Sequence, residues 1–402
     1  MNENKAWRNR FEQELRDNIL AFWIRRAVDR EHGGIYGVVT NDLEVIEDAP
    51  KASVICARVL WTYAAAYRIL RRDEYLQMAY HALRFLLAKF WDPEHSGIYW
   101  MLDAWGNPLS DRKQTYSQAF AIYGLSELFR TTGEPEALEK ARELFLKVEE
   151  KSYDPVHQGY LEAAARNWEP LEDLRLSEKD MNCPKSMNTH LHVMEAYTNL
   201  LRVWPDTFLK KRQAELIQVT LNHIVDPQTF HFRLFFDMSW NSLSPHVSFG
   251  HDIEGSWLLV EAAAVLGDPE LLDEAKKVAI QMAQAVYDEG LDADGSLFYE
   301  ASQGKIINSE KHWWPHAEAV VGFYNAFKLT GQIHFRQASW NAWEYIEKKF
   351  IDRQHGEWFG RLNREGIPYT DGYANEQCKV GPWKCPYHNA RVCFEMMERL
   401  AE

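Results

Sequence analysis

The chain has 402 residues, 46% hydrophobic and 26% charged, a balance that excludes disordered, collagen-like and coiled-coil classes and leaves room for a large core. Asp and Glu number 59 against 45 Lys and Arg, a formal charge of −14, a sign that argues against nucleic acid and anionic membrane as partners. Cys56, Cys183, Cys378, Cys385 and Cys393 form no disulfide framework, the first ten residues carry no hydrophobic signal core, and the apolar stretch from Ser256 to Leu266 is broken by Glu261, so the expectation is a cytoplasmic chain without a membrane span.

An Asp, a short turn, a Gly and an aromatic or aliphatic pair recur along the chain. The copies are Asp29 to Tyr36 (DREHGGIY), Asp92 to Tyr99 (DPEHSGIY), Asp154 to Tyr160 (DPVHQGY), a degenerate one from Asp226 (DPQTFHFRLF), Asp292 to Tyr299 (DADGSLFY) and Asp352 to Phe359 (DRQHGEWF). The spacings between these Asp residues are 63, 62, 72, 66 and 60, which predicts six units of similar length. In each unit the turn leads into a strand-like pair, a polar loop such as Trp105-Gly106-Asn107-Pro108, and two helical segments. In the second unit the first helix, around Ala119 to Phe129, is apolar on most of its circumference and suits an inner position. The next places Leu138, Ala141, Phe145 and Val148 on one face, the pattern of an amphipathic outer helix. Gly133-Glu134-Pro135 and Gly267-Asp268-Pro269, with Gly331 in register, separate inner from outer helix. Six helical hairpins with no polar capping unit at either end predict an all-α single domain over residues 1–402, an (α/α)6 barrel with small β-hairpins in its loops, in preference to an open solenoid.

The inner helices open on polar segments: KASVICARVL from Lys51, KQTYSQAF from Lys113, KSMNTHLHVMEAY from Lys185, SFGHDIEGSW from Ser248, KHWWPHAEAV from Lys311 and GPWKCPYHNAR from Gly381. In a closed ring these converge at one mouth, bringing Arg58, Tyr116, Asn188, His192, His251, Glu254, Trp314, Glu318, Trp383 and His388 together. Helical spacing puts Asn188, His192 and Glu195 on one face, and His251 with Glu254 on another, so that a carboxylate supports the imidazole. His81, His223 and His334 fall on outer helices or turns and read as packing residues. A metal set of His190, His192, His251 and Glu254 fails because His190 and His192 diverge on a helix, so no metal is expected. Hydrolase-elbow, P-loop and dinucleotide motifs are absent. The 16 Trp, 18 Tyr and 20 Phe either fill space between helices or stack on sugar rings, and composition leaves both open.

At Lys185 to His192 (KSMNTHLH), Gly250 to Glu254 (GHDIE) and Gly381 to His388 (GPWKCPYH) the chain resembles the N-acylglucosamine 2-epimerase superfamily, and within it the branch acting on β-1,4-linked disaccharides. The resemblance runs from Gly33 to the C-terminus. It implies an (α/α)6 barrel and cofactor-independent interconversion of glucose and mannose at the reducing end of a disaccharide such as cellobiose or lactose. It also implies that Arg58, Tyr116, Asn188, His192, His251, Glu254, Trp314, Trp383 and His388 form the reducing-end site, with Asp180 reaching the second sugar. Such chemistry is all proton transfer, which suits imidazole. The expected roles are His251 as the C2 acid/base supported by Glu254, His388 at the ring oxygen, Arg58 and His192 on charge at O1 and O2, and the two tryptophans stacking on sugar. The expected partner is a small sugar, the expected state a monomer or weak homodimer. The alternatives are an N-acylglucosamine 2-epimerase or an aldose–ketose isomerase on the same barrel, and, further off, a glycoside hydrolase using Glu254 and Glu318.

Overall fold

The computed structural model describes residues 3–374 and 376–401. Its helices are α1 (Glu3–Gln13), α2 (Ser53–Leu70), α3 (Asp73–Phe85), α4 (Thr115–Thr132), α5 (Pro135–Lys151), α6 (Met187–Val203), α7 (Thr207–Val219), α8 (Phe249–Leu266), α9 (Pro269–Ala285), α10 (Trp313–Thr330), α11 (Ile333–Tyr345) and α12 (Tyr387–Arg399). The even-numbered helices from α2 onward are the inner ones. Every residue from Ser53 to Ala66 of α2 is buried, as is every residue from Trp313 to Ala326 of α10. An outer helix buries a stripe: α5 hides Ala137, Ala141, Leu144, Phe145 and Val148 and leaves Glu136, Glu139 and Arg142 to solvent.

Each inner helix packs on the next, α2 on α4, α4 on α6, α6 on α8, α8 on α10 and α10 on α12, and α12 returns to α2. Five outer helices back the inner helix that precedes them in the chain. The sixth pair differs from the expected contiguous hairpin: α12 is the last helix, and its outer partner is α1 from the other end of the chain. The loops close the same way. Strand 51–52 pairs with 101–102, 113–114 with 163–164, 185–186 with 235–236, 246–248 with 300–302 and 311–312 with 361–362, each reaching into the following unit. Val380 then bridges back to Val39. One apolar cluster runs through all of this, from Trp7 to Leu400.

The repeated Asp is a turn staple. Asp29 Oδ1 accepts the backbone N–H of Glu31 and His32, and the same bonds recur at Asp92, Asp154, Asp226 and Asp352. Its other oxygen takes a buried lysine ahead of the inner helix: Lys51 on Asp29 at 2.6 Å, Lys113 on Asp92 at 3.0 Å, Lys185 on Asp154 at 2.8 Å, Lys311 on Asp292 at 3.0 Å and Lys379 on Asp352 at 2.8 Å. The degenerate fourth copy has Val247 where the lysine would stand, and Asp226 pairs with Arg233 at 2.9 Å. Gly133, Gly267 and Gly331 end α4, α8 and α10 at φ of 74°, 79° and 72°, the left-handed region that glycine enters without steric cost.

Candidate active site

Because six equivalent helices face one axis, equivalent residues meet as layers. Counted from Lys51, Lys113, Lys185, Val247, Lys311 and Lys384, the seventh residue onward is Arg58, Phe120, His192, Glu254, Glu318 and Arg391. These stand together: the Arg58 guanidinium lies 4.1 Å from the Phe120 ring centre, Phe120 lies 4.7 Å from His192, and Arg391 bonds both Glu254 and Glu318. One turn toward the mouth come Tyr116, Asn188, Trp314 and Tyr387, with His251 and His388 beside them. One turn deeper, Trp61 stacks on Tyr123 at 5.0 Å and Trp257 donates its indole N–H to Glu318 at 3.0 Å. Large aromatic rings thus close the floor.

Arg58 and His192 share one wall. Arg58 Nη2 donates to the Tyr116 hydroxyl at 2.8 Å, and the Tyr116 ring stands edge-on to His192 at 5.1 Å. His192 Nδ1 meets Glu195 Oε2 at 2.9 Å, which is the one-face arrangement the spacing predicts. On the other wall the Trp314 ring lies 4.6 Å from His251 and 5.5 Å from His388. His388 Nδ1 meets Glu318 Oε1 at 2.7 Å. Trp383, from the segment ahead of α12, lies 6.0 Å from Tyr116 and 6.1 Å from Trp100. Arg58, Tyr116, His192, Glu254, Trp314 and His388 are buried, while Asn188, His251 and Trp383 keep partial exposure at the mouth. The Asn188 Oδ1 is buried without a hydrogen-bond partner.

One expectation needs correction. Glu254 does not support His251: His251 Nδ1 is bonded to Ser248 Oγ at 2.7 Å, while Glu254 turns inward to Arg391, whose full charge attracts it more strongly than a neutral imidazole. Asp180, expected only at a second sugar, is not on an inner helix. It lies in the loop before α6, accepting from the Ser177 N–H and hydroxyl at 2.9 Å each. Residues that the spacing argument did not single out are Ser248 and above all Arg391, which the seventh-position column would have revealed.

Burial, with the charges of Arg58 and His192, pushes His251 down to about 3, and burial beside Arg391 and Arg58 pushes His388 well below its usual value. Both are therefore neutral imidazoles near pH 7. Burial works against ionisation of Glu195, yet Arg391, His192 and Tyr387 bring it down to about 2. Glu254 is pushed up to about 7 by burial and by Glu318. One buried group of Glu254, Glu318 and His388 has ligand atoms within 4.8 Å of one another, but Arg391 already donates to both carboxylates there, which supplies the positive charge a cation would bring.

The N-acylglucosamine 2-epimerase (GlcNAc 2-epimerase) family description matches residues 33–378. A cellobiose 2-epimerase of Bacteroides fragilis is 47% identical over 387 residues, covering 96% of this chain and 97% of its own. That of Dictyoglomus turgidum is 37% identical over 98% of this chain and 99% of its own. The solved structure of cellobiose 2-epimerase from Bacillus thermoamylovorans superposes with a TM-score of 0.92 at 41% identity, covering 98% of this chain and 100% of the other. With similarity of this degree along nearly its whole length, the chain belongs to the N-acylglucosamine 2-epimerase family.

Proposed function

We propose that the protein is a carbohydrate epimerase that interconverts glucose and mannose residues at C2 of the reducing end of β-1,4-linked disaccharides, cellobiose and lactose among them. The observation that carries this reading is the pair of imidazoles, His251 and His388, that meet at the Trp314 ring, 4.6 and 5.5 Å from it. Epimerisation at an unactivated carbon needs the ring opened to an aldehyde, the acidified C2 proton removed, and a proton returned to the opposite face of a cis-enediolate. A neutral imidazole accepts a proton at each such step and gives it back. In this reading His251 serves C2, its ring oriented by Ser248, and His388 serves the ring oxygen, backed by Glu318. Arg58 and His192, across the recess, stabilise charge growing on O1 and O2. Trp314 and Trp383 stack on sugar, with Tyr116 and Asn188 binding hydroxyls and Asp180 meeting the second sugar.

The closed cycle of inner helices supports an (α/α)6 barrel forming one domain, and all the proposed groups come from one chain, so a monomer suffices. Proton transfer between imidazoles and sugar calls on no cofactor or metal. Five cysteines, all free and buried, fit the reducing cytoplasm. The hydrolase alternative loses support from the geometry, because one guanidinium nitrogen of Arg391 holds both Glu254 and Glu318. The test is incubation with cellobiose, lactose and N-acetylglucosamine, with and without EDTA, followed by sugar analysis. Epimerised disaccharide of unchanged mass, formed equally with EDTA, is expected. Released glucose, preference for the N-acetyl sugar, or a ketose as main product would each overturn the corresponding part.

A further inference from the structure

The structure assigns Arg391 a positioning role: from beneath the recess its guanidinium holds Glu195 and Glu318 as the carboxylates that fix a hydrogen on Nδ1 of His192 and of His388. This rests on the epimerase reading above.

Arg391 is on α12, 1% exposed, and its side chain reaches across the ring axis. Nη1 donates to Glu195 and to the Tyr387 hydroxyl, and Nη2 donates to Glu254 and, at 2.6 Å, to Glu318. Three buried carboxylates from α6, α8 and α10 therefore share one cation. Only a planar fork reaches so many acceptors at once, since a lysine ammonium would cover fewer of them from a single point. Two of the three carboxylates go on to an imidazole: Glu195 Oε2 to His192 Nδ1 at 2.9 Å, and Glu318 Oε1 to His388 Nδ1 at 2.7 Å.

The proton positions follow from the partners. Glu318 is surrounded by donors, the guanidinium, the Trp257 indole N–H at 3.0 Å and His388, so no neighbour accepts a proton from it. Glu195 receives the Tyr387 hydroxyl and Arg391 on one oxygen and His192 on the other. A carboxylate only accepts, so each Nδ1 carries a hydrogen, and on His388, which burial and the neighbouring charges keep neutral, Nε2 is bare. That bare nitrogen lies on the far side of the ring from the carboxylate. A ring that accepts a proton at the sugar needs that tautomer at His388, while at His192 the held Nδ1–H orients the ring, and Arg391 enforces both without touching sugar. Its charge, together with burial, also opposes a second proton on His388 and so keeps that ring neutral.

The test compares wild type, Arg391→Lys and Arg391→Met on a sugar the wild type epimerises. For Arg391→Met, kcat is expected to fall about 10²-fold with KM changed less than about threefold, the mark of a group acting on proton transfer rather than on binding. The acid limb of kcat/KM should move to higher pH, because the imidazolium form is no longer opposed, and Arg391→Lys should recover part of both effects. A folded Arg391→Met enzyme with wild-type kcat and acid limb, reduced only in Tm, overturns the proposal. If neither variant folds, nitrogen-15 imidazole spectra of the wild type decide: His192 and His388, identified by signals lost in His192→Gln and His388→Gln, must both show protonated Nδ1, with bare Nε2 on His388. A bare Nδ1 at either ring overturns the assignment. A wild type that epimerises no sugar would sink the functional reading alone, since the spectra test the tautomers without turnover.

Discussion

His190 and His192 are two positions apart on α6 and face opposite ways. His190 points outward, bonded by Nδ1 to the Ser186 carbonyl at 2.6 Å and accepting the Tyr160 backbone N–H on Nε2 at 2.8 Å. His316 does the same for Leu297 N–H, and Gln118 and Asp252 hold Ile98 and Phe232 from equivalent positions. These are staples between inner helix and turn. His190→Ala strands a buried N–H and should cost about 1–3 kcal/mol in a denaturant melt while leaving kcat nearly unchanged. His192→Ala, facing Arg58 and Tyr116, should do the reverse and lose most activity with little loss of stability. Equal effects of the two on kcat would contradict the division. The spacing made this divergence legible, since residues two apart on a helix cannot share a face. It misjudged Glu254, because spacing says which residues are neighbours along one helix and nothing of a guanidinium arriving from another. Arg391 escaped notice for the same reason: its importance lies in contacts to α6, α8 and α10, none of them local in sequence.

At the level of elements, the Asp motif was readable because a turn staple and a lysine clamp impose residue types at fixed places. The clamps are close to fully buried, with Lys185 and Asp154 at 0% and 4% exposed side chains. Beyond the backbone N–H groups of its turn, Lys185→Met leaves Asp154 with the His157 ring at 3.3 Å, whereas Lys113→Met leaves Asp92 with the permanently charged Arg166 at 3.0 Å. Breaking a buried pair costs about 3–5 kcal/mol, so Lys185→Met should approach that figure and Lys113→Met should fall clearly below it in the same melt. The reverse order would mean that the pairs do not hold the turns. The pairing of the sixth inner helix was not readable, because the unit count implied a contiguous hairpin and only packing reveals that α1 supplies the outer half. Deleting residues 1–20 removes the buried Trp7, Phe11, Leu15 and Ile19, and the shortened chain should lose its cooperative melt; a sharp wild-type-like transition would contradict the closure.

For the whole molecule, the buried charges set the response to pH. Burial opposes ionisation of Asp154 and Asp292, but Lys185 and backbone N–H groups hold the first at about 2, and Arg364 and Lys311 the second. Their folded values lie below 3.8, so their stabilisation is full above that pH and is lost as pH falls toward 2. Burial holds His190 at about 4 and His316 at about 3, so these staples weaken as pH falls below 6.5. Burial raises Glu14 and Glu162 to about 7, and their contribution is complete below 4.5 and fades as pH rises through 7. The two trends oppose each other between about 4.5 and 6.5 and leave only losses below. Thermal melts should show a shallow dependence across that window and a steep fall in Tm beneath it; a Tm that rises on acidification below pH 4.5 would contradict the assignment. The same ring that buries these groups brings His251 of α8 and His388 of α12 together at Trp314, and the central claim is that His251 moves a proton at C2. The most direct measurement is the reaction of cellobiose in deuterium oxide with wild type and His251→Asn. The account predicts epimerised product carrying deuterium at C2 from the wild type, and a rate about 10²- to 10⁴-fold lower in the variant. Product that stays fully protiated at C2 at every stage, or near-normal turnover by His251→Asn, would contradict it.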